Sequence, residues 1–112
     1  MAVHQLSQSV QLDGAGSGRV IINADRAWVD MIVLSISVSI DQGDEGEARV
    51  YIGDRIDDQN LIEGTYSGAR DTSVWPDGHL TLMSGQQMLI SWVGGAPGAR
   101  ATAVVRYRVQ GR

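Results

Sequence analysis

Residues 31–40, MIVLSISVSI, decide the fold class. From Ile32 onward two populations alternate, with Ile32, Leu34, Ile36, Val38 and Ile40 on one side and Val33, Ser35, Ser37 and Ser39 on the other. Successive side chains of an extended chain point to opposite faces, so this period of two describes a strand with one dry face and one wet or lightly covered face. A two-layer β-sandwich follows from it. The serine face is small and uncharged and offers no acid, base or thiol, which makes it a surface for packing.

Working outward from this strand, further strand-like runs recur at the spacing of sandwiches and barrels. They are His4 to Leu12, Arg19 to Ala24, Trp28 to Ile40, Glu47 to Ile52, His79 to Met83, Gln87 to Val93 and Ala99 to Val109. Glycine- and aspartate-rich separators lie between them: DGAGSG (13–18), DQGDEG (41–46), PDG (76–78) and GGAPG (94–98). Each supplies residues that tolerate positive φ or initiate turns. With an eighth strand near Thr65 to Val74, the pattern predicts an all-β chain. Its architecture is a single antiparallel β-sandwich over 1–112, jelly-roll or Ig-like, of about seven to eight strands.

Within that frame Asp54 to Asp77 reads as a long irregular connection, with a short helical turn around Asp57 to Ile62. GGAPG reads as the turn of a final hairpin, whose strands put Met88, Ile90 and Trp92 with Ala101, Ala103, Val105, Tyr107 and Val109 into the core. The opposite side of the last strand carries Thr102, Val104, Arg106 and Arg108.

At 112 residues the chain holds one domain with a real core. Cysteine is absent, which excludes disulfides and thiolate metal sites. All nine basic residues are arginine, and neither lysine nor phenylalanine occurs, as in chains encoded by G/C-rich genomes. Without lysine there is no Schiff base, no lysine general base and no phosphate-loop lysine. A formal charge of −4 argues against binding to a nucleic-acid backbone, which rests on clustered cations. The opening MAVHQLSQSVQL has neither a basic region nor a continuous apolar one, and no run has the length of a membrane span, so no membrane partner is expected.

Catalytic spacings are missing. His4 and His79 belong to no HExxH or HxH pattern, and GAGSG lacks the GxGxxG spacing and is followed by a strand. No serine sits in a GxSxG elbow. The acids of 41–47 and 54–58 do not follow the EF-hand pattern and read as solvated loops. No cofactor, metal or enzymatic activity is expected. What remains is a set of candidate contact residues: Trp75 with Tyr66 as an aromatic platform, Asp71 and Asp77 as hydroxyl acceptors, and Arg106 and Arg108 facing a neighbouring subunit.

Three segments carry a resemblance: EARVYIGDRIDDQNLIEGTYSG (47–68), ARDTSVW (69–75) and ISWVGGAPGARATAVVRYRV (90–109). Together they resemble small β-sandwich virion proteins, of the minor tail or decoration type, of tailed bacteriophages infecting actinobacteria. The family pattern L-[IV]-[ED]-G-T-x-S-G-x-x-D is matched by Leu61, Ile62, Glu63, Gly64, Thr65, Ser67, Gly68 and Asp71. The pattern W-x-G-G-x-P-G-A-x-A-T-A is matched by Trp92, Gly94, Gly95, Pro97, Gly98, Ala99, Ala101, Thr102 and Ala103. The resemblance implies a structural component of a virion, partnered by other virion proteins and by copies of itself. The alternative is a carbohydrate-binding or host-receptor module that takes a surface glycan.

Overall fold

The structure, a computed structural model, describes residues 3–23, 29–43, 45–53, 55–67, 70–76 and 78–111. In these the chain forms β1 (His4–Gln11), β2 (Gly18–Asn23), β3 (Val29–Ile40), β4 (Glu47–Ile52), β5 (Leu61–Ser67), β6 (Arg70–Val74), β7 (Thr81–Leu82), β8 (Gln87–Val93) and β9 (Arg100–Gly111). A single 3-10 turn, Asp58–Asn60, precedes β5 where a helical turn is predicted. Sheet I has the order β1-β9-β3-β6, with β7 on the other half of β3; sheet II has the order β2-β8-β4-β5. Every pairing is antiparallel.

With the two-residue β7 set aside, the first strand pairs with the last, the second with the last but one, the third with β6 and the fourth with the fifth. This nesting is a long hairpin rolled into two layers, the jelly roll. An Ig-like sandwich would keep its first two strands in one sheet. Here β1 and β2 lie in opposite sheets.

The two inner faces meet over Val20, Ile22, Ile36, Val38, Ile40, Val50, Met88, Ile90, Trp92, Ala101, Ala103, Val105 and Tyr107, all buried. The β3 alternation holds from Ile36 to Ile40 and then changes phase. Val33 stands opposite Tyr107 and Ser35 opposite Arg106, which leaves Leu34 as an extra residue in a β-bulge. One inserted residue moves every side chain before it to the other face. Met31 and Val33 therefore join the inter-sheet core in place of Ile32 and Leu34; Ile32 is buried as expected but on the outer side, where Leu34 is half-buried.

The bulge marks a handover on the edge of β3. Its second half pairs with β6, from Ser35↔Val74 to Ser39↔Arg70, and its first half with β7, through Met31↔Leu82 and Ile32↔Thr81. The intervening connection takes the backbone groups that the bulge displaces. Trp75 N–H donates to the Leu34 carbonyl at 2.9 Å, and Val33 N–H donates to the Leu80 carbonyl at 2.8 Å.

Two further expectations are corrected. The region 54–77 is not one irregular connection: β5 extends sheet II and β6 extends sheet I. Its polar composition suits edge strands, which pack only partly and so lack a strong apolar signature. GGAPG turns the chain as expected, with Gly94 at φ 71° and Gly98 at φ 77°. The strands it joins, however, belong to different sheets, so β8 and β9 face each other across the core and do not pair. Turn chemistry is the same whether a chain returns within a layer or crosses to the next one.

Candidate interaction surface

The outer face of sheet I follows from register. Directly opposed residues of an antiparallel pair share a face, so Ser35, Ser37 and Ser39 of β3 line up with Arg106, Val104 and Thr102 of β9. Beyond β9 the rows continue into Gln5, Ser7 and Ser9 of β1, and beyond β3 into Val74 and Thr72 of β6. Hydroxyls pair across the strands: Ser9 Oγ lies 2.9 Å from Thr102 Oγ1, and Ser37 Oγ lies 2.9 Å from Thr72 Oγ1. The result is a broad face of serine, threonine and glutamine. Val3, Leu34, Ser35, Ser37, Thr72, Val74 and Arg106 line a shallow depression of about 320 Å³ on it.

The outer face of sheet II is different in kind. Tyr51 and Leu89 are paired there and point away from the core, yet both are buried. Ile56, from the β4–β5 connection, shares a cleft of about 400 Å³ with Arg19, Ser91 and Val93, which stand on this face, so the connection folds back across the sheet. Arg49 lies beside Tyr51 and Glu47. A hydrogen bond to the Tyr51 side chain, and then the charge of Glu47, raise the pKa of its guanidinium.

The candidate contact residues are dispersed over this frame. Arg106 is exposed at the depression on sheet I, and Arg108 is half-buried further along the same strand, in register with Ile32. Asp71 is exposed on β6 opposite Val38, on the inner side of the sheet edge, and its Oδ1 accepts from Thr72 N–H at 2.8 Å. Trp75 is half-buried and packs against the core, where it anchors the connection after β6. Tyr66 stands on β5 of sheet II opposite Ala48. The two aromatics thus belong to different layers. The Tyr66 side chain, Asp77 and Trp28 lie outside the described residues.

His4 stacks on Tyr107 with ring centroids 5.5 Å apart, and His79 is exposed after the turn, its N–H donating to the Pro76 carbonyl. Among the described residues no three His, Cys, Asp or Glu side chains come together as a metal site. Asp13 caps the GAGSG loop: its Oδ1 accepts from Ser17 N–H at 3.0 Å and Ala15 N–H at 2.9 Å, and these bonds, Ser17 first, lower its pKa. Trp92 Nε1 is buried without a hydrogen-bond partner.

One constellation escapes a reading from sequence. Gly16, at φ 75°, lies against Gly95, whose N–H donates to the Gly16 carbonyl at 3.0 Å. A Cβ on Gly16 would sit 2.0 Å from the Gly95 carbonyl oxygen, and one on Gly95 would sit 2.7 Å from Leu12. Two loops far apart in the chain therefore close the same end of the sandwich through bare backbone. The signal for it is the pairing of two glycine-dense separators, which does not reveal that they touch. The buried outer face of sheet II has a clearer one: Met88-Leu89-Ile90 and Val50-Tyr51-Ile52 are continuous apolar runs, the mark of strands covered on both sides.

No family model matches this sequence, and no curated protein matches it.

Proposed function

We propose that the protein is a non-enzymatic structural component of a tailed-phage virion, a minor tail or decorating protein that acts through protein–protein contacts. The observation that carries this reading is where the residues of the virion-protein patterns fall. Trp92, Ala99, Ala101 and Ala103 are buried in the core, Gly94 and Gly98 provide the left-handed turn positions, Gly95 packs on Gly16, and Thr102 bonds Ser9. Leu61 to Ser67 form a sheet edge. These residues serve as core, turn and strand positions of a framework. Jelly rolls are a frequent architecture of capsid proteins, and a framework of this kind leaves its faces and edges to neighbours.

A broad hydroxyl face with an exposed arginine suits repeated contacts of modest polarity with other virion proteins. The test is composition of the particle. Mass spectrometry of extensively washed virions of the encoding phage should find this chain at a fixed stoichiometry, and cryo-EM should give it a repeated position. Washed particles without the chain overturn the proposal.

A further inference from the structure

Among the described residues the outermost strands are β1 and, on the other side, β6 with β7 in sheet I, and β2 and β5 in sheet II. Proteins protect such edges by shortness, bulges or charge. The register of β5 shifts twice along β4, β6 is five residues long and carries Arg70 and Asp71, and β2 carries Arg19. None of these devices is found on β1. Its register with β9 runs unbroken from His4 to Gln11, and HQLSQSVQ contains no glycine, proline, acid or arginine. Val3 lines the depression on the outer face together with residues of β3 and β6, so it does not run along this edge.

The sequence of β1 also names a partner. Read outward from Gln8 it is nearly the same in both directions: Ser7 and Ser9, then Leu6 and Val10, then Gln5 and Gln11. An antiparallel strand pair about a two-fold axis opposes residues symmetrically placed around that axis. We propose that two copies of the protein pair β1 to β1 about an axis at Gln8, which makes sheet I continuous across a dimer.

The faces agree with this register. Leu6, Gln8 and Val10 stand opposite Val105, Ala103 and Ala101, on the inner side, and Gln5, Ser7, Ser9 and Gln11 stand on the outer side. Opposing Leu6 to Val10 gives each of these half-buried apolar side chains an apolar neighbour. Opposing Ser7 to Ser9 extends the hydroxyl pairing already seen at Ser9–Thr102 and Ser37–Thr72. No charge meets a like charge. Within one copy Ser7 faces Val104, which offers its hydroxyl no hydrogen bond across the pair.

The pairing deepens the proposed assembly role and rests on that reading only for its purpose. Cross-linking tests the edge, whereas particle composition tests the role, so the two fail separately. The chain has no cysteine, so an introduced one reports alone. Opposed Cα atoms in an antiparallel pair lie about 4.5–5.5 Å apart, within the span of a disulfide. Gln8→Cys should give a covalent dimer on mild oxidation. Ser7→Cys and Ser9→Cys should each fail to cross-link alone and should form the mixed dimer when combined. Sedimentation should show the unaltered protein as a dimer and Gln8→Lys as a monomer with unchanged circular dichroism, since Gln8 is exposed and two like charges would oppose each other at the axis. The proposal is overturned by a strictly monomeric parent, by Ser7→Cys cross-linking to itself as readily as Gln8→Cys, or by a dimer that survives Gln8→Lys.

Discussion

The two sheets turn very different outer faces to their surroundings. On sheet II the outward-pointing Leu89 is 1% exposed and Tyr51 is buried beside it, and Ile56 of the β4–β5 connection lines a cleft on the same face. On sheet I the outward positions around Ser35, Ser37 and Ser39 are mostly serine, threonine, glutamine and arginine, and the apolar Val74 there is 74% exposed. Each outer face is covered in part: sheet II at Tyr51 and Leu89, sheet I only at the end of β3 that holds Ile32, which is 3% exposed. Stability should therefore reside in the two inner faces and in the covered outer patches, while the Ser35–Ser39 half of the outer face of sheet I is left for contacts. An outward-facing position in a strand is no guide to energetic weight unless its cover is known.

The sharpest way to break this comparison is to treat Leu89 as a core residue. Leu89→Ala should destabilise as much as Ile36→Ala in the true core, on the order of 2–5 kcal/mol in urea unfolding. A loss of the size typical of surface changes would mean that the outer face of sheet II is not packed at Leu89. Next in size is Ile56, at the cleft on the same face. Ile56 is 48% exposed, so Ile56→Ala should cost about 1 kcal/mol, and it should lower the protection of the Leu89 and Tyr51 amides against hydrogen exchange.

On the open face the expected effect is small. Val74→Ala and Val104→Ala should each leave stability within about 0.5 kcal/mol of the parent. A large loss at either residue would point to a cover on sheet I as well.

The smallest effect is a pH dependence at the rim of the sheet II cleft, which Asp13 lines. Its carboxylate accepts backbone N–H bonds from Ser17 and Ala15, so its folded pKa lies below the ordinary 3.8. The stabilisation is present above the unfolded carboxylate range and is lost as pH falls through the folded pKa. Asp13→Ala should lower Tm slightly at neutral pH, and the gap from the parent should close in acid. A gap that stays constant from neutral to acid would separate the loop's stability from that carboxylate.

The β3 alternation was legible from sequence for a plain reason. On the open side of sheet I, Ser35, Ser37 and Ser39 contrast with Ile36, Val38 and Ile40, and a period of two needs such a contrast to be seen. Where Met31, Ile32 and Val33 are all buried, the contrast disappears and with it the means of locating the bulge. Of the candidate contact residues, Arg106 was readable as outward because it lies on a strand with clear alternation. The pairing of Trp75 with Tyr66 rests on proximity in sequence alone. Tyr66 stands on β5 of sheet II and Trp75 follows β6 and bonds to β3 of sheet I, a matter of topology and not of local chemistry.

By itself the sequence determined that this chain is built of strands, where its turns fall, and which residues of β8 and β9 face the core, because side-chain alternation and backbone tolerance at glycine are local properties. Only the tertiary structure decided that β8 and β9 lie in opposite sheets, that Leu34 shifts the phase of β3, that Gly16 meets Gly95 and that Leu89 is covered from outside. Each depends on contacts between residues distant along the chain, and the free energy of such contacts is not written in any one segment.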